Sequence, residues 1–560
     1  MTEVDSQRGK PLFPGLAARI SAMHPTVRLT AFLLLIVAFM GGAALLKGGF
    51  YPRKHEGDTL QLADIVLRMA EGQWPHLDFM TPIGVLAMAP IAWFVKAGAG
   101  LGHAIFYAQI LVALVLLPAA VHVARSRLPG GWGWLHAGFV MVLCLALVHG
   151  ETERSVSISM HYNRWAWALA YLAVPLALLE PAGRARPALD GAIVGLCVAA
   201  LALIKVTFLI ALAPGLFVAL VARRQWLGMV VGAAAGLAVA GVVTALAGVA
   251  FWGAYLSDLM IVAASKIRPQ PGDEFWAIVT APAWLAGTLA ILAAVIFLRQ
   301  AGRKVEGLAL LVLMPGFLYI VYQNYGNDPQ WLILLAVLAL VLRPAPGPVN
   351  EVGIDLRAGL TTVGIVTLTL GAGSAVNLLY SPLRHLAVET KDTRPLIPAM
   401  AQHGDIRALK ERVYGVNNVV PGDGDGSGYE AFRGDAERKN IAKLNGEVLP
   451  DCEQQTGMSA LFTAMSRDLE AAGYAGKRVL AADLFTLFWM FGDFQPVKGA
   501  APWYYGGVPG VENADLIVVP LCPIAKNVRA EMLKALEESG RTLTVVRRTP
   551  LYVAIETSRD

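Results

Sequence analysis

The sequence predicts a polytopic α-helical membrane protein of about eleven spans followed by an exterior α/β domain, and three observations carry that prediction. Hydrophobic residues make up 56% of the 560 positions and charged residues only 16%, against roughly 25% charged in an ordinary soluble domain. Mean hydropathy is +0.55, too apolar for one soluble core. Apolar runs also recur along the first 380 residues, and beyond Tyr380 the composition changes to dispersed charge and short β-type runs.

The expected spans lie at 28–48, 103–124, 132–149, 165–180, 188–204, 206–222, 227–250, 276–298, 307–322, 330–343 and 358–379. Several are shorter than the ~20 residues of a perpendicular helix. The apolar run 83–95 follows Pro82, contains Pro90 and is shorter than a normal span, so it reads as re-entrant or interfacial.

The positive-inside rule supports that reading. With the N-terminus cytoplasmic, the inner segments carry Arg8, Lys10, Arg19, Arg28, Arg125, Arg127, Arg184, Arg186, Arg223, Arg224, Arg299, Arg303, Lys304, Arg343 and Arg357. Counting 83–95 as a span would turn this pattern over. Residues 1–27 are polar and basic and lead into a full-length apolar run, which reads as a retained span rather than a cleaved signal. The net charge of +5 is small for this length, and its basic residues report orientation; nucleic-acid binding is not indicated.

The division is then a cytoplasmic segment 1–27, a membrane module 28–380 with a first exterior loop at 49–102, and a periplasmic α/β domain 381–560. In that domain RVLAAD (478–483) and DLIVVPL (515–521) suit buried parallel strands, NVRAEMLKALEESG (527–540) a helix ending at Gly540, and TLTVVRRTPLYVAIE a terminal hairpin. One three-layer unit is expected. Cys144 and Cys197 fall in spans and read as packing residues; Cys452 and Cys522 both fall outside, where a disulfide is open to them. The PGDGDGSG loop (421–428) lacks a Walker lysine and a full calcium-ligand pattern, and reads as a flexible linker.

Candidate chemistry concentrates in the first loop. From Asp58 to Glu71 apolar residues recur at helical spacing, with Asp64, Arg68 and Glu71 on a second, internally paired face, predicting an amphipathic helix along the membrane surface. Asp58 followed by Gln61 matches a capping box, so Asp58 reads as a helix cap or as a catalytic acid. Glu56 reads as a general base or as a loop acid paired with Arg53 or Lys54. Lys205, between two apolar runs, is a candidate cation for a lipid phosphate or a snorkelling lysine. Arg164 reads as a second such cation or as an interfacial anchor beside Trp165. His55, His76, Asp78, Tyr322 and Asn324 are candidates for the cavity or the acceptor, with Asn327 and Asp328 beside them; Lys266 and Arg268, in the exterior loop 251–275, are candidates for contact with lipid headgroups or an acidic acceptor. Spacing among His55, Glu56, Asp58, His76 and Asp78 matches no standard metal set; no metal or cofactor is expected, a divalent cation being the one alternative.

HEGD (55–58), EGQWPHLDF (71–79) and TPIG (81–84), with the lysine-bearing GAIVGLCVAALALIKVTFL (191–209), resemble the GT-C superfamily of polyprenyl-phosphate-sugar-dependent glycosyltransferases, of the membrane mannosyl- or aminoarabinose-transferase kind. The resemblance covers most of the chain in layout and about thirty residues in motif. It implies an inverting transfer from a lipid-phosphate sugar to a glycan, lipid or protein acceptor in a bacterial inner membrane, with a first-loop acid as base. Where many members show Asp-Glu, this chain has His55-Glu56, so Glu56 is the first expected base and Asp58 the second. A lipid-carrier transporter would show internal repeats, and none is visible; an assembly protein would not need the acid cluster.

Overall fold

The computed structural model describes residues 23–150, 153–267, 274–327, 329–424, 426–433 and 441–559. The helices are α1 (Pro25–Leu46), α2 (Glu56–Ala70), α3 (Val85–Lys96), α4 (Leu101–Arg127), α5 (Gly131–Leu145), α6 (His161–Leu178), α7 (Pro187–Ile204), α8 (Val206–Ala222), α9 (Trp226–Ala247), α10 (Ala250–Ala263), α11 (Phe275–Val279), α12 (Pro282–Gln300), α13 (Lys304–Gln323), α14 (Trp331–Val341) and α15 (Leu356–Leu386). Among the described residues seven of these, α1, α4, α7, α9, α12, α13 and α15, are long and apolar enough to cross a membrane. The protein is therefore a membrane-embedded helical bundle. Shorter apolar helices, α3, α5, α8, α10 and α14, pack among them. At 1.5 Å per residue the 12-residue α3 is only about 18 Å long, well short of a ~30 Å hydrocarbon core.

Packing between α7 and α9 rests on glycine. Gly191 and Gly195 face Gly228 and Gly232, and a Cβ on Gly191 or Gly195 would lie 2.1 Å from the facing glycine's carbonyl oxygen. The backbones thus approach as in small-xxx-small pairs, where dispersion between close backbones replaces the absent hydrophobic driving force. Gly195→Val should push α9 off the bundle and cost on the order of 1–3 kcal/mol by overpacking. Thermal unfolding in detergent should show a clearly lowered midpoint; an unchanged midpoint would remove the glycine contact as a determinant.

Between α7 and α8 the chain breaks at Lys205, whose backbone is extended (φ −156°, ψ 109°). A break inside a membrane leaves carbonyls that must find donors, and Gly84 supplies one, its N–H donating to the Ile204 carbonyl at 3.1 Å. A Cβ there would lie 2.1 Å from the Leu203 oxygen, so glycine is the residue that admits this approach.

The C-terminal part is built on a four-stranded sheet of order β7 (Val479–Ala481), β8 (Leu516–Pro520), β10 (Tyr552–Arg559), β9 (Arg541–Arg548). As expected from the two apolar runs, β7 and β8 are parallel, in register Leu480 to Ile517; β9 and β10 form the antiparallel terminal hairpin. Smaller antiparallel pairs precede the sheet: β1 (Thr393–Pro395) with β2 (Arg407–Leu409), β3 (Asn417–Val419) with β6 (Glu453–Thr456), and β4 (Lys443–Leu444) with β5 (Glu447–Val448). Helices α16 (Lys410–Tyr414), α17 (Met458–Ala471), α18 (Phe488–Phe491) and α19 (Lys526–Glu538) complete it.

Strand alternation divides the sheet's two faces. Leu480, Ile517, Val519, Val553 and Ile555 pack with Val528, Met532 and Leu536 of α19. Val479, Ala481, Val518 and Ala554 join Phe462 of α17 and Phe488 of α18 in a core that runs without interruption into α2 and the membrane helices. The unit is three-layered and shares a core with the bundle. Cys452 and Cys522, left open by the sequence, are disulfide-bonded, with Cα atoms 5.0 Å apart.

That shared core changes the expected place of α2. Its polar face is not solvated: Asp64 and Arg68, 2.7 Å apart, have fully buried side chains. The Trp489 indole N–H donates to Asp64 at 2.8 Å, and Arg68 donates to the Val497 carbonyl at 3.1 Å with its guanidinium over the Phe79 and Trp489 rings. Glu71 alone of that face is exposed. Amphipathic periodicity locates a polar face but does not say whether water or another polar surface covers it. Asp405 fastens the units at a second point: its carboxylate accepts from the His103 N–H at 2.9 Å, and its carbonyl from the Phe50 N–H at 2.8 Å.

Candidate active site

Where the first loop, the 146–160 segment and the C-terminal domain meet there is a cavity of about 400 Å³. His55, Asp58, His149, Met160, Tyr325 and Asn327 line its membrane-module side, and Trp503, Ala525 and Asn527 line its domain side. A narrower chamber of about 20 Å³ adjoins it, with Asp58, Gln61, Ser159, Tyr162 and Tyr505 in its walls. Asp58 belongs to both. Helix α2 begins at Glu56, so Asp58 is its third residue and makes no cap hydrogen bond; the capping-box expectation is corrected. Its carboxylate accepts from the Ser159 hydroxyl at 2.6 Å and faces the cavity.

Glu56 is placed differently. Its side chain is buried, and the Arg412 guanidinium of α16 holds it in both directions, Nη2 donating to Oε2 at 2.7 Å and Nε to Oε1. Glu56 is thus an ion-paired acid, with Arg412 as its partner rather than Arg53 or Lys54. The bidentate guanidinium occupies one lone pair on each carboxylate oxygen, and Glu56 lines neither chamber. The same pair raises the Arg412 pKa, chiefly through its hydrogen bond to Glu56. Arg53 and Lys54, the partners expected for a loop acid, turn elsewhere: Arg53 donates to the Glu389 carbonyl and Lys54 pairs with Glu153 at 2.5 Å.

His55 bonds through Nδ1 with the Ser157 hydroxyl at 3.0 Å and lies 5.3 Å from the His149 ring. Burial lowers its pKa and favours the neutral ring, against an opposing pull from Asp58. Its backbone is left-handed (φ 62°), as are those of Met160 (50°) and Tyr325 (57°). Among the described residues six non-glycine positions have positive φ, and these three line the same cavity. Each costs roughly 1–3 kcal/mol, and such strain gathers where surrounding structure holds a functional arrangement. No sequence signal marks these three positions.

Lys205 donates to the Asn324 Oδ1 at 2.7 Å and the Asn163 Oδ1 at 3.1 Å, with its ammonium 5.6 Å from the Tyr162 ring centre. Tyr162 lines the narrow chamber and Tyr325, next to Asn324, the larger one, so the fold brings Lys205 and Asn324, two separate candidates in the sequence, together beside the chambers. Arg164 is not at that position. It is fully buried and donates to the Val148 and Ala146 carbonyls, the latter at 3.0 Å, so it braces the 146–159 segment rather than facing the cavity.

His76, Asp78 and Tyr322 make their contacts elsewhere. His76, itself left-handed at φ 71°, meets Asp258 of α10 at 2.8 Å, and the same carboxylate accepts from the Thr81 N–H at 3.0 Å. Asp78 accepts from the Trp74 N–H at 2.8 Å and faces Lys498 at 3.3 Å. Tyr322 sits edge-on between Phe275 and Trp284. Neither His76, Asp78 nor Tyr322 lines the cavity. Lys266 is exposed; Arg268 and Asp328 lie outside the described residues. Among the described residues no three His, Cys, Asp or Glu side chains group as a metal set.

The domain side of the cavity is fixed by Asp483, at the end of β7. It accepts from the Ile524 N–H at 2.7 Å and the Ala525 N–H at 3.0 Å, setting the turn into α19. Burial outweighs these donors and pushes its carboxyl up to about 6. A folded-state value above the unfolded one means ionisation costs stability, and that cost accrues as pH rises from about 4 to about 6. The unfolding temperature of the wild type relative to Asp483→Asn should therefore rise as pH falls from 7 toward 4. A flat difference would show that Asp483 titrates normally.

Compared with protein-family models, with curated proteins and with solved structures, the chain matches none. What fold and site define is a class: a membrane-embedded helical protein carrying a strained, carboxylate-bearing cavity beneath a three-layer domain.

Proposed function

We propose that the protein is an integral-membrane glycosyltransferase that moves a sugar from a polyprenyl-phosphate donor to an acceptor hydroxyl with inversion. Asp58 takes the acceptor's proton, the hydroxyl oxygen bonds to the anomeric carbon, and the sugar–phosphate C–O bond breaks, its electron pair leaving with the polyprenyl phosphate. The observation that carries this reading is Asp58 at the junction of two chambers, oriented by Ser159. Lys205 supplies positive charge for the leaving phosphate. Support for a lipid-linked donor comes from an apolar groove of about 690 Å³ between α7, α8 and α9 that reaches Leu203, two residues from Lys205.

In this reading the membrane is a bacterial inner membrane, the N-terminus is cytoplasmic and the C-terminal domain periplasmic. Eleven crossings, α1, α4 to α9 and α12 to α15, are inferred. They put the helix ends bearing Arg125, Arg127, Arg223, Arg299, Arg303 and Arg357 on one side, where Arg127 pairs with Asp190 and Arg223 with Glu306, in keeping with positive-inside charge.

The test is mass spectrometry of polyprenyl-phosphate sugars and surface glycans in a deletion strain. The deletion should accumulate one lipid-linked sugar and lose one glycan, and wild type should restore both. Lys205→Met, present at normal level, should leave turnover reduced by about 10²-fold or more, the scale of losing one charge stabiliser of the transition state. Unchanged lipid and glycan pools in the deletion strain would turn the reading toward transport or assembly.

A further inference from the structure

A second cavity, of about 710 Å³, lies along the C-terminal third of α15 and shares no lining residue with the site described above. Its walls are of two kinds. Gly373, Val376 and Tyr380 give an apolar face along the helix, and Arg154, Asn377 and Arg384 give a polar end. Val376 and Tyr380 are 54% and 53% exposed, on a helix apolar enough to cross a membrane, so the apolar wall faces the region that acyl chains occupy.

The polar end is held in place. Arg384 donates to the Asn377 Oδ1 at 2.7 Å, and the Asn377 amide nitrogen donates to the Glu153 carbonyl at 2.6 Å. Among the described residues neither Arg154 nor Arg384 pairs with a carboxylate, although Glu153 is the neighbour of Arg154 in sequence; its carboxylate is turned to Lys54. Two guanidinium groups therefore line one groove with no carboxylate among the described residues paired to either. Guanidinium pairs bind phosphate oxygens with forked geometry, and an apolar wall continuing from such a pair into the membrane region fits a phosphate that carries hydrocarbon chains.

We propose that this groove is a binding site for an anionic membrane lipid, with the lipid phosphate between Arg154 and Arg384 and an acyl or prenyl chain along Gly373, Val376 and Tyr380. The proposal is independent of the transferase reading, since it uses none of the residues of that site. Because Asn377 ties Arg384 to the 153–159 segment that carries Ser157 and Ser159, an occupied groove would brace the wall behind the candidate active site.

The test uses the full-length protein in neutral detergent, with native mass spectrometry counting retained phosphatidic acid against phosphatidylcholine. Wild type should retain one phosphatidic acid in preference to phosphatidylcholine. Arg154→Gln combined with Arg384→Gln should weaken that retention about tenfold or more, the scale of losing charge-assisted hydrogen bonds. Val376→Trp fills the groove but leaves both arginines and Asn377 in place, so it gives a second reading if the double variant fails to fold; it too should lose the lipid. Undiminished retention in whichever variants fold overturns the proposal. So does loss in the arginine variant with full retention in Val376→Trp, or equal displacement by inorganic phosphate at the concentration of the lipid, because either would define a free-anion site without a chain-binding wall.

Discussion

Asp58→Asn should lower glycosyl-transfer turnover by about 10³-fold, within the range for removal of a positioned general base, while the protein folds and binds donor as wild type does. The amide is nearly isosteric and still accepts from Ser159, so the helix start and the cavity wall persist; only proton uptake is lost. Glu56→Gln should behave in the opposite way. It breaks the bidentate pair with Arg412, so expression and thermal stability fall, yet turnover per folded molecule should change by less than about tenfold, since the group touches neither chamber. Purified variants assayed for kcat and KM, normalised to folded protein, separate the two. Equal catalytic losses would return the role of base to Glu56, and full activity of Asp58→Asn would end the transferase mechanism as written.

Arg68→Met should be the most destabilising of the single substitutions considered, by roughly 3–5 kcal/mol, because it leaves Asp64 as an unpaired buried charge. Burial already raises the Asp64 pKa, against the pull of Arg68; without Arg68 the carboxyl rises further. Ionisation then costs most at high pH, so the deficit should be larger at pH 8 than at pH 5. The expected readouts are a lowered unfolding temperature and faster proteolytic release of the C-terminal domain, since Arg68 also holds the Val497 carbonyl. Combining it with Asp64→Leu should recover most of the loss, as apolar replacement of a whole buried pair is often nearly neutral. Stability of Arg68→Met matching wild type at pH 8 would mean that the pair carries no weight in joining the units.

The two results address one architectural fact. The first loop is not an open exterior loop but the layer between bundle and domain. Its helix gives Arg68 and Asp64 to the joint, Glu56 to an ion pair with α16, and Asp58 to the cavity. Three neighbouring acids with similar local sequence thus acquire three roles by where the domain meets them.

How much of this was legible follows from the range of each interaction. Hydropathy, arginine distribution and helical or alternating periodicity are local, and they located most of the long apolar helices, the break at Lys205, the amphipathic α2, the parallel pair β7 and β8, and the terminal hairpin, but not α10 (Ala250–Ala263), in a stretch that reads as an exterior loop. Even the α7 and α9 contact has a local signal, the spaced glycines of GAIVG and GMVVG. The density of polar residues in the first loop is likewise a local feature.

The choice among those groups was not local. Arg412 lies 356 residues beyond Glu56, Asn324 119 residues beyond Lys205, and Ser159 101 residues beyond Asp58. Arg164, beside a tryptophan at the start of a helix, has the sequence context of an anchor and is instead fully buried among carbonyls. The sequence by itself determined that the chain forms an apolar helical bundle with a polar first loop and an α/β C-terminal part, because hydropathy and the helical or alternating period of apolar residues are set by neighbours in sequence. Only the tertiary structure decided which carboxylate is neutralised and which faces the cavity, because that depends on which distant donor closes on each acid once the domain has docked.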